Sequence, residues 1–307
     1  MGRDIKEILN DIDFDYDSQP KEYVQSCNLC GSSRSIVISK KDRYGLNVSA
    51  CLCLGCGLVY ISPRMTAEGY KLFYKKFYRP LVSYYLGKKV DSLTIVEGQK
   101  EYAQEVFEWM EPYVPKNKKS FRLLDVGGST GVVAKVFADN LKAFGFRVEA
   151  TVIDPSPDEL AVAKKFGLKT IEGLVEEKDI QKNSWDLIVL CQTIDHLMDV
   201  TKTTSVIRNS LKKDGLFFVD IVDWEYNVRK KSVRDSLKID HPFNFTRGTI
   251  VPFLESMGFK IISESILTDG HLLGFICSKA KQTKCSFSRL HAESLLSLIR
   301  KKQAILK

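Results

Sequence analysis

The stretch Leu123-Leu124-Asp125-Val126-Gly127-Gly128-Ser129-Thr130-Gly131, followed by Val152-Ile153-Asp154, decides the fold. An apolar run ends in an acid and a loop with three glycines, and a second apolar run then ends in a second carboxylate. A doubly wound α/β domain builds a nucleoside-binding crevice this way, with a tight turn after strand one and an acid at the tip of strand two for ribose hydroxyls. The loop reads D-x-G-x-S-x-G and so departs from the dinucleotide fingerprint G-x-G-x-x-G.

Outward from that loop, strands and helices alternate regularly. Strand one spans Arg122–Val126 and its helix runs from about Gly131 to Ala143; strand two spans Glu149–Ile153, with a helix over Asp158–Phe166. Strand three is Leu168–Glu172, strand four Trp185–Cys191 with a helix near Val200–Leu211, and strand five Leu216–Val222. A long polar segment, 223–245, leads to a helix at roughly 250–257, where Pro252 suits the first turn because its missing N–H does no harm there. Phe259–Ser265 and His271–Ser278 form an antiparallel pair around a Thr268-Asp269-Gly270 turn. The expected fold is α/β: a doubly wound, mostly parallel seven-stranded sheet ending in an antiparallel C-terminal hairpin, preceded by a small zinc ribbon.

The ribbon rests on cysteine spacing. Cys191, Cys277 and Cys285 are scattered, whereas the other five crowd into residues 27–56. Cys27-Asn28-Leu29-Cys30 and Cys53-Leu54-Gly55-Cys56 are two C-x2-C pairs whose turns let two thiolates each reach one ion. Ser35–Ser39 and Leu46–Ala50 read as short strands between them. So small a unit needs a metal or disulfides, and a chain without a secretion signal favours the metal. Cys27, Cys30, Cys53 and Cys56 are the expected ligands of a structural Zn2+, with Cys51 as a rival to Cys53. Four thiolates fill the tetrahedron and leave no open catalytic position.

The chain of 307 residues is 44% apolar, enough for one large or two modest cores. The domains expected are an acidic arm, 1–26; the ribbon, 27–62; a helical connector or lid, 63–119, opened by Pro63 and rich in tyrosine; the cofactor domain, 120–280; and a basic tail or helix, 281–307. The first twenty residues carry six acids (Asp4, Glu7, Asp11, Asp13, Asp15, Asp17) against Arg3 and Lys6, so the remainder carries about +12 of a total of +8. Such a surplus attracts phosphates, but no arginine cluster interleaved with aromatics marks a nucleic-acid groove. No apolar run is long enough to span a bilayer, and the N-terminus lacks a signal core, so a cytoplasmic enzyme is expected.

The order of elements over about residues 120–280 resembles class I methyltransferases that use S-adenosylmethionine (SAM). Leu123–Gly131 resembles the family's SAM loop with its middle glycine replaced, Asp154 its ribose acid, Trp185-Asp186-Leu187-Ile188-Val189-Leu190 its fourth strand, and Ile194-Asp195-His196-Leu197 its "LEHL" segment. Leu211-Lys212-Lys213-Asp214-Gly215 resembles "L-K-P-G-G". Cys53-Leu54-Gly55-Cys56-Gly57-Leu58-Val59-Tyr60 with Ser62-Pro63, and Asp240-His241-Pro242-Phe243-Asn244-Phe245-Thr246, resemble signatures of a branch with an N-terminal zinc-binding domain. That branch is associated with sugar, polysaccharide and antibiotic methylation. Its sugar C-methyltransferases carry a further C-terminal domain, which shifts the expectation here toward O- or N-methylation.

The resemblance implies SAM bound by Asp125, Gly127, Gly128, Ser129, Gly131 and Asp154, with Leu174 and Val175 flanking adenine and Cys191 near the sulfonium. A hydroxyl acceptor must lose a proton, for which a histidine near neutral pKa is suited. His241, in the insertion after strand five, is the first candidate base and His196, at the cofactor rim, the second; His271 is expected to be exposed. The function expected is methyl transfer to a hydroxyl or amine of a nucleotide-sugar, glycan or related secondary metabolite. Its rivals are an RNA methyltransferase using the ribbon and basic surface, and a silent module that holds a protein partner. The oligomeric state stays open.

Overall fold

The structure, a computed structural model, describes residues 9, 11–267, 270–284 and 286–304. Arg3, Asp4, Lys6, Glu7, Thr268, Asp269, Cys285 and Ile305, to which the sequence reading assigned roles, lie outside the described residues.

The N-terminal part holds β1 (Lys21–Glu22), β2 (Ser35–Ser39), β3 (Ala50–Cys53), β4 (Val59–Ile61) and β5 (Arg64–Met65). Three helices follow, α1 (Ala67–Lys76), α2 (Tyr78–Leu86) and α3 (Ser92–Met110). The alternating part is β6 (Ser120–Val126), α4 (Val132–Ala143), β7 (Arg147–Asp154), α5 (Pro157–Lys165), β8 (Lys169–Glu172), β9 (Trp185–Leu190), α6 (Val200–Ser210) and β10 (Leu211–Val222). The chain closes with α7 (Trp224–Lys230), β11 (Phe243–Asn244), α8 (Arg247–Ser256), β12 (Phe259–Leu267), β13 (Leu272–Lys279) and α9 (Arg289–Ala304).

Seven strands form one mixed sheet in the order β12-β13-β10-β9-β6-β7-β8, parallel from β10 to β8 and antiparallel through β13 and β12. Both faces are covered, so the central strands carry continuous apolar runs, Leu123–Leu124, Leu187–Leu190 and Leu216–Val219, and the two-residue pleat sorts them between two cores. Leu123, Leu187, Val189 and Phe218 face Phe107, Phe137 and Leu160 of α3, α4 and α5. Their neighbours Leu124, Ile188, Phe217 and Val219 face Ile207 of α6, Phe253 of α8 and the ribbon's own Cys53, Cys56 and Tyr60. The ribbon therefore shares a core with the sheet.

Four departures from the sequence reading have local causes. Residues 46–49 are not a strand, because the buried Asp42 carboxylate accepts the backbone N–H groups of Tyr44, Leu46 and Ile239 and holds this stretch as a loop. The segment 223–245 is not a plain polar loop: it contains α7 and β11, and β11 pairs with β4 to extend the ribbon sheet to the order β11-β4-β3-β2. Trp224, Val228, Leu237, Ile239, Phe243 and Phe245 in it are all buried. The helix expected at 250–257 begins at Arg247, where Thr246 and Thr249 form a capping box, so Pro252 lies inside it and not in its first turn. Pro63 follows a cis peptide and precedes β5, and the helical region starts only at Ala67, capped by Thr66.

The basic tail, left between helix and disorder by its sequence, is α9 over Arg289–Ala304. Leu295 and Ile299 join Trp224, Val228, Leu52 and Val59 in one buried cluster. His291 lies against Gly57 and Gly248, where an added Cβ would come within 3.0 and 2.6 Å of its ring, and its Nε2 is 2.8 Å from Thr246 Oγ1. No described helix is long and apolar enough to cross a membrane.

Candidate active site

The carboxyl ends of β6, β7 and β9 meet at one edge of the sheet, with Asp125 beside Val152 and Val189 in register. Past that edge the glycine loop is pressed against its neighbours. A Cβ on Gly127 would meet the Thr193 side chain at 2.4 Å, and one on Gly128 the Asp125 carboxylate at 2.4 Å. Ser129, where a third glycine would have been ordinary, adopts φ +49°. Two contacts hold it in this left-handed conformation: its N–H donates to Asp154 Oδ2 at 2.9 Å, and its hydroxyl to Glu159 at 3.2 Å.

Both acids here are costly without a ligand. Asp125 is fully buried, its Oδ2 accepts only the Ala134 N–H, and its Oδ1 has no partner among the described residues. Burial pushes its carboxyl up to about 7. Asp154 accepts from Ser129 and Ser156, one on each oxygen, and burial lifts it to about 6. Each Asp154 oxygen keeps a lone pair for a diol. An orphaned carboxylate oxygen packed under a close-fitting glycine loop, with a second acid at the next strand tip, suits a ligand carrying an ammonium group and a ribose, as SAM does. Val175 is in the core behind this edge, while Leu174 and Cys191 are half-buried. Cys191 packs near Tyr102, whose hydroxyl donates to Asp220 at 2.8 Å; Asp220 also accepts the Gln192 N–H.

From Cys191 the chain runs over the glycine loop to the second half of the site. Asp195 accepts the Val222 N–H and anchors the turn that carries His196. His196 and His241 stand edge to face with ring centroids 4.6 Å apart. His196 Nδ1 is 2.8 Å from the Asp240 carbonyl oxygen and 2.9 Å from the Tyr74 hydroxyl. A carbonyl only accepts, so Nδ1 carries the proton and Nε2 keeps the lone pair. His241 Nε2 is 3.3 Å from Lys238 Nζ. The ammonium donates there, and burial, then Lys238, holds His241 well below the usual histidine range. Burial likewise lowers His196. Both rings are neutral at neutral pH.

Tyr74, Tyr78 and Tyr70 come from α1 and α2; Tyr74 also donates to the Asp240 carbonyl and Tyr70 to that of Ile239. Arg79 of α2 pairs with Glu159 at 3.0 Å, tying this lid to the glycine loop. His196, Asp240 and His241 present ligand atoms within 4.8 Å of one another. A cation among them would face the Lys238 ammonium at close range. His271, by contrast, is exposed on the far hairpin.

The ribbon brings the Sγ atoms of Cys27, Cys30, Cys53 and Cys56 within 4.8 Å of one another, with Cys27–Cys56 at 3.6 Å and Cys30–Cys53 at 3.5 Å. A tetrahedron with Zn–S bonds of about 2.3 Å has edges of about 3.8 Å, so the set fits such an ion. Cys51 is buried two residues up the strand, outside the set.

A family model described as a methyltransferase domain matches residues 99–264, more than half of the chain. The chain belongs to the methyltransferase-domain family. It is a SAM-dependent methyltransferase, with the class I mixed sheet. Among solved structures, a 1,6-didemethyltoxoflavin N1-methyltransferase of Burkholderia thailandensis, bound to S-adenosylhomocysteine, is 15% identical with a TM-score of 0.52, covering 73% of this chain and 96% of that one. A putative methyltransferase of Haloferax volcanii, in complex with the activator Trm112, is 14% identical with a TM-score of 0.50, covering 61% of this chain and 94% of that one. Both likenesses concern the fold. No curated protein sequence matches.

The sequence reading singled out the loop, both acids, both histidines and the tyrosine-rich lid. It missed Arg43, Thr193, Asp220 and Lys238, whose signal is only their position in the packed chain.

Proposed function

We propose that this methyltransferase modifies a hydroxyl or amine of a sugar, as a nucleotide-sugar, a glycan or a related secondary metabolite. The observation that carries this reading is the cluster beyond the glycine loop: Tyr74, His196, Asp240 and His241 bring a phenol, two imidazoles and a carboxylate together, and Asp240 Oδ1 has no partner among the described residues. A polyhydroxylated acceptor satisfies such a cluster, whereas an apolar one would leave it unpaired.

SAM, when bound, supplies an activated methyl group on a sulfonium. The protein's work is then alignment and proton removal. Asp154 would take the ribose hydroxyls; Asp125 would order the loop and meet the ammonium; and the backbone of Gly127, Gly128, Ser129 and Gly131 would let the cofactor approach closely. Leu174 and, behind it, Val175 would stand on the adenine side, and Cys191 on the sulfonium side. His196 accepts the acceptor's proton at Nε2 while the Asp240 carbonyl holds its Nδ1–H. His241, the first candidate from sequence, stands behind it with its Nε2 turned to Lys238. Zn2+ on Cys27, Cys30, Cys53 and Cys56 is structural. Methyl transfer from labelled SAM to a panel of sugars and nucleotide-sugars tests the reading; transfer only to acceptors without sugar would reject it.

A further inference from the structure

The N-terminal sheet brings one residue, Arg43, up to the segment that carries Asp240 and His241. Arg43, on the loop after β2, donates its backbone N–H to the Leu237 carbonyl, five residues before the end of β10's insertion reaches Pro242, and its guanidinium packs over the Tyr85 and Tyr44 rings at 4.0 and 4.8 Å. It donates through one terminal nitrogen to the Tyr44 hydroxyl at 2.8 Å, while its Nε is buried with no partner. Lys238 is the second cation at this place, and its ammonium hydrogen-bonds the neutral His241 ring. Among the described residues neither Arg43 nor Lys238 makes an ion pair within 4 Å. Asp240 acts electrostatically on both and Asp195 on Lys238, but no carboxylate reaches either cation within ion-pair distance, so their donors are left for a ligand oxyanion.

Asp240, whose charge both cations feel, makes no ion pair with either within 4 Å. Its Oδ2 lies 3.6 Å from His241 and 3.9 Å from His196, and its Oδ1 is buried without a partner. The same cluster thus holds an unmet acceptor, Asp240 Oδ1, and an unmet donor, Arg43 Nε. A hydroxyl answers the first and an oxyanion the second, and arginine's planar fork matches a carboxylate or a phosphate.

Building on the reading that this site methylates a sugar, we propose that the acceptor is an anionic polyol, a sugar acid or sugar phosphate. Its oxyanion binds Arg43 and Lys238, one hydroxyl donates to Asp240, and another faces His196. The ribbon is then a specificity element of the active site as well as a metal-bound module.

The test is calorimetric titration of the full chain, saturated with S-adenosylhomocysteine, with three probes: glucose 1-phosphate, glucuronate and glucose. At least one anionic probe is expected to bind ten or more times tighter than glucose, and which one does so identifies the oxyanion. Arg43→Gln and Lys238→Gln are each expected to reduce that preference about tenfold, with S-adenosylhomocysteine affinity within twofold of the parent. Equal binding of all three probes, or a preference untouched in Arg43→Gln, overturns the proposal. Should Arg43→Gln fail to fold, phenylglyoxal labelling of the unaltered protein decides: protection of Arg43 by the anionic probe and not by glucose supports it, and equal labelling overturns it. A protein that binds no S-adenosylhomocysteine would reject the methylation reading, and the probe preference measured without cofactor would still decide this one.

Discussion

Asp154 Oδ2 accepts the backbone N–H of Ser129 at 2.9 Å, so the tip of β7 holds the glycine loop after β6 in its left-handed bend. One carboxylate both shapes the cradle and offers its free lone pairs to what the cradle holds. Asp154→Ala is expected to weaken S-adenosylhomocysteine binding by about 1–3 kcal/mol, a loss of a charged acceptor together with loop order. Calorimetry measures it, and an unchanged Kd would deny Asp154 the ribose.

Acidity at this edge should be visible in solution. Burial raises Asp125 to about 7 and Asp154 to about 6, both above their unfolded value of 3.8. A raised carboxyl pKa means that the native state holds more protons than the unfolded one. The unliganded protein's stability from these groups is therefore complete below pH 4 and falls as pH rises toward 7. A ligand bringing an ammonium and a diol favours the ionised acids, so its Kd should tighten between pH 5.5 and 7.5. A Kd flat across that window in the parent protein would contradict the assignment.

His196→Gln is expected to lower kcat by about 10²–10⁴, the usual range for a lost general base, with S-adenosylhomocysteine affinity retained. His241→Asn should act less strongly, because its Nε2 already faces Lys238. A larger loss in His241→Asn than in His196→Gln would exchange their roles.

The Cys27, Cys30, Cys53 and Cys56 set should hold one zinc per chain, measurable by elemental analysis, and Cys30→Ser should lose it. Chelation is expected to loosen more than the ribbon, because β11 pairs with β4 and lies two residues from His241. Hydrogen exchange should therefore speed up over 27–62 and over 238–246 together. Exchange confined to the ribbon would show the two to be independent.

Leu295 and Ile299 are each 1% exposed between α9 and the ribbon. Leu295→Ala should cost about 2–5 kcal/mol in thermal or urea unfolding, the range for an emptied core site. A change below about 0.5 kcal/mol would mean that α9 does not dock in solution.

Much of the fold was legible because the signals are local. Each strand from Arg122 to Val222 carries its own apolar run, and Gly127, Gly128 and Asp154 declare their turn within a few residues. The misreadings came where a distant partner overrode local pattern. Leu46–Ser49 looks like a strand until Asp42 takes the Leu46 N–H, and 223–245 reads as a long polar segment until α9 and β4 cover its apolar residues.

The cofactor edge is thus written in the chain's own order: two neighbouring parallel strands must end side by side, so an acid after each and glycines between them meet whatever else is present. The acceptor cluster has no such guarantee. Arg43, Tyr74, His196 and Asp240 belong to four separate segments, and each is an ordinary residue in its own surroundings. Only the packing of the N-terminal sheet, the helices after it and the insertion onto one large sheet strips water from them together, and that shared desolvation is what the proposed acceptor chemistry depends on.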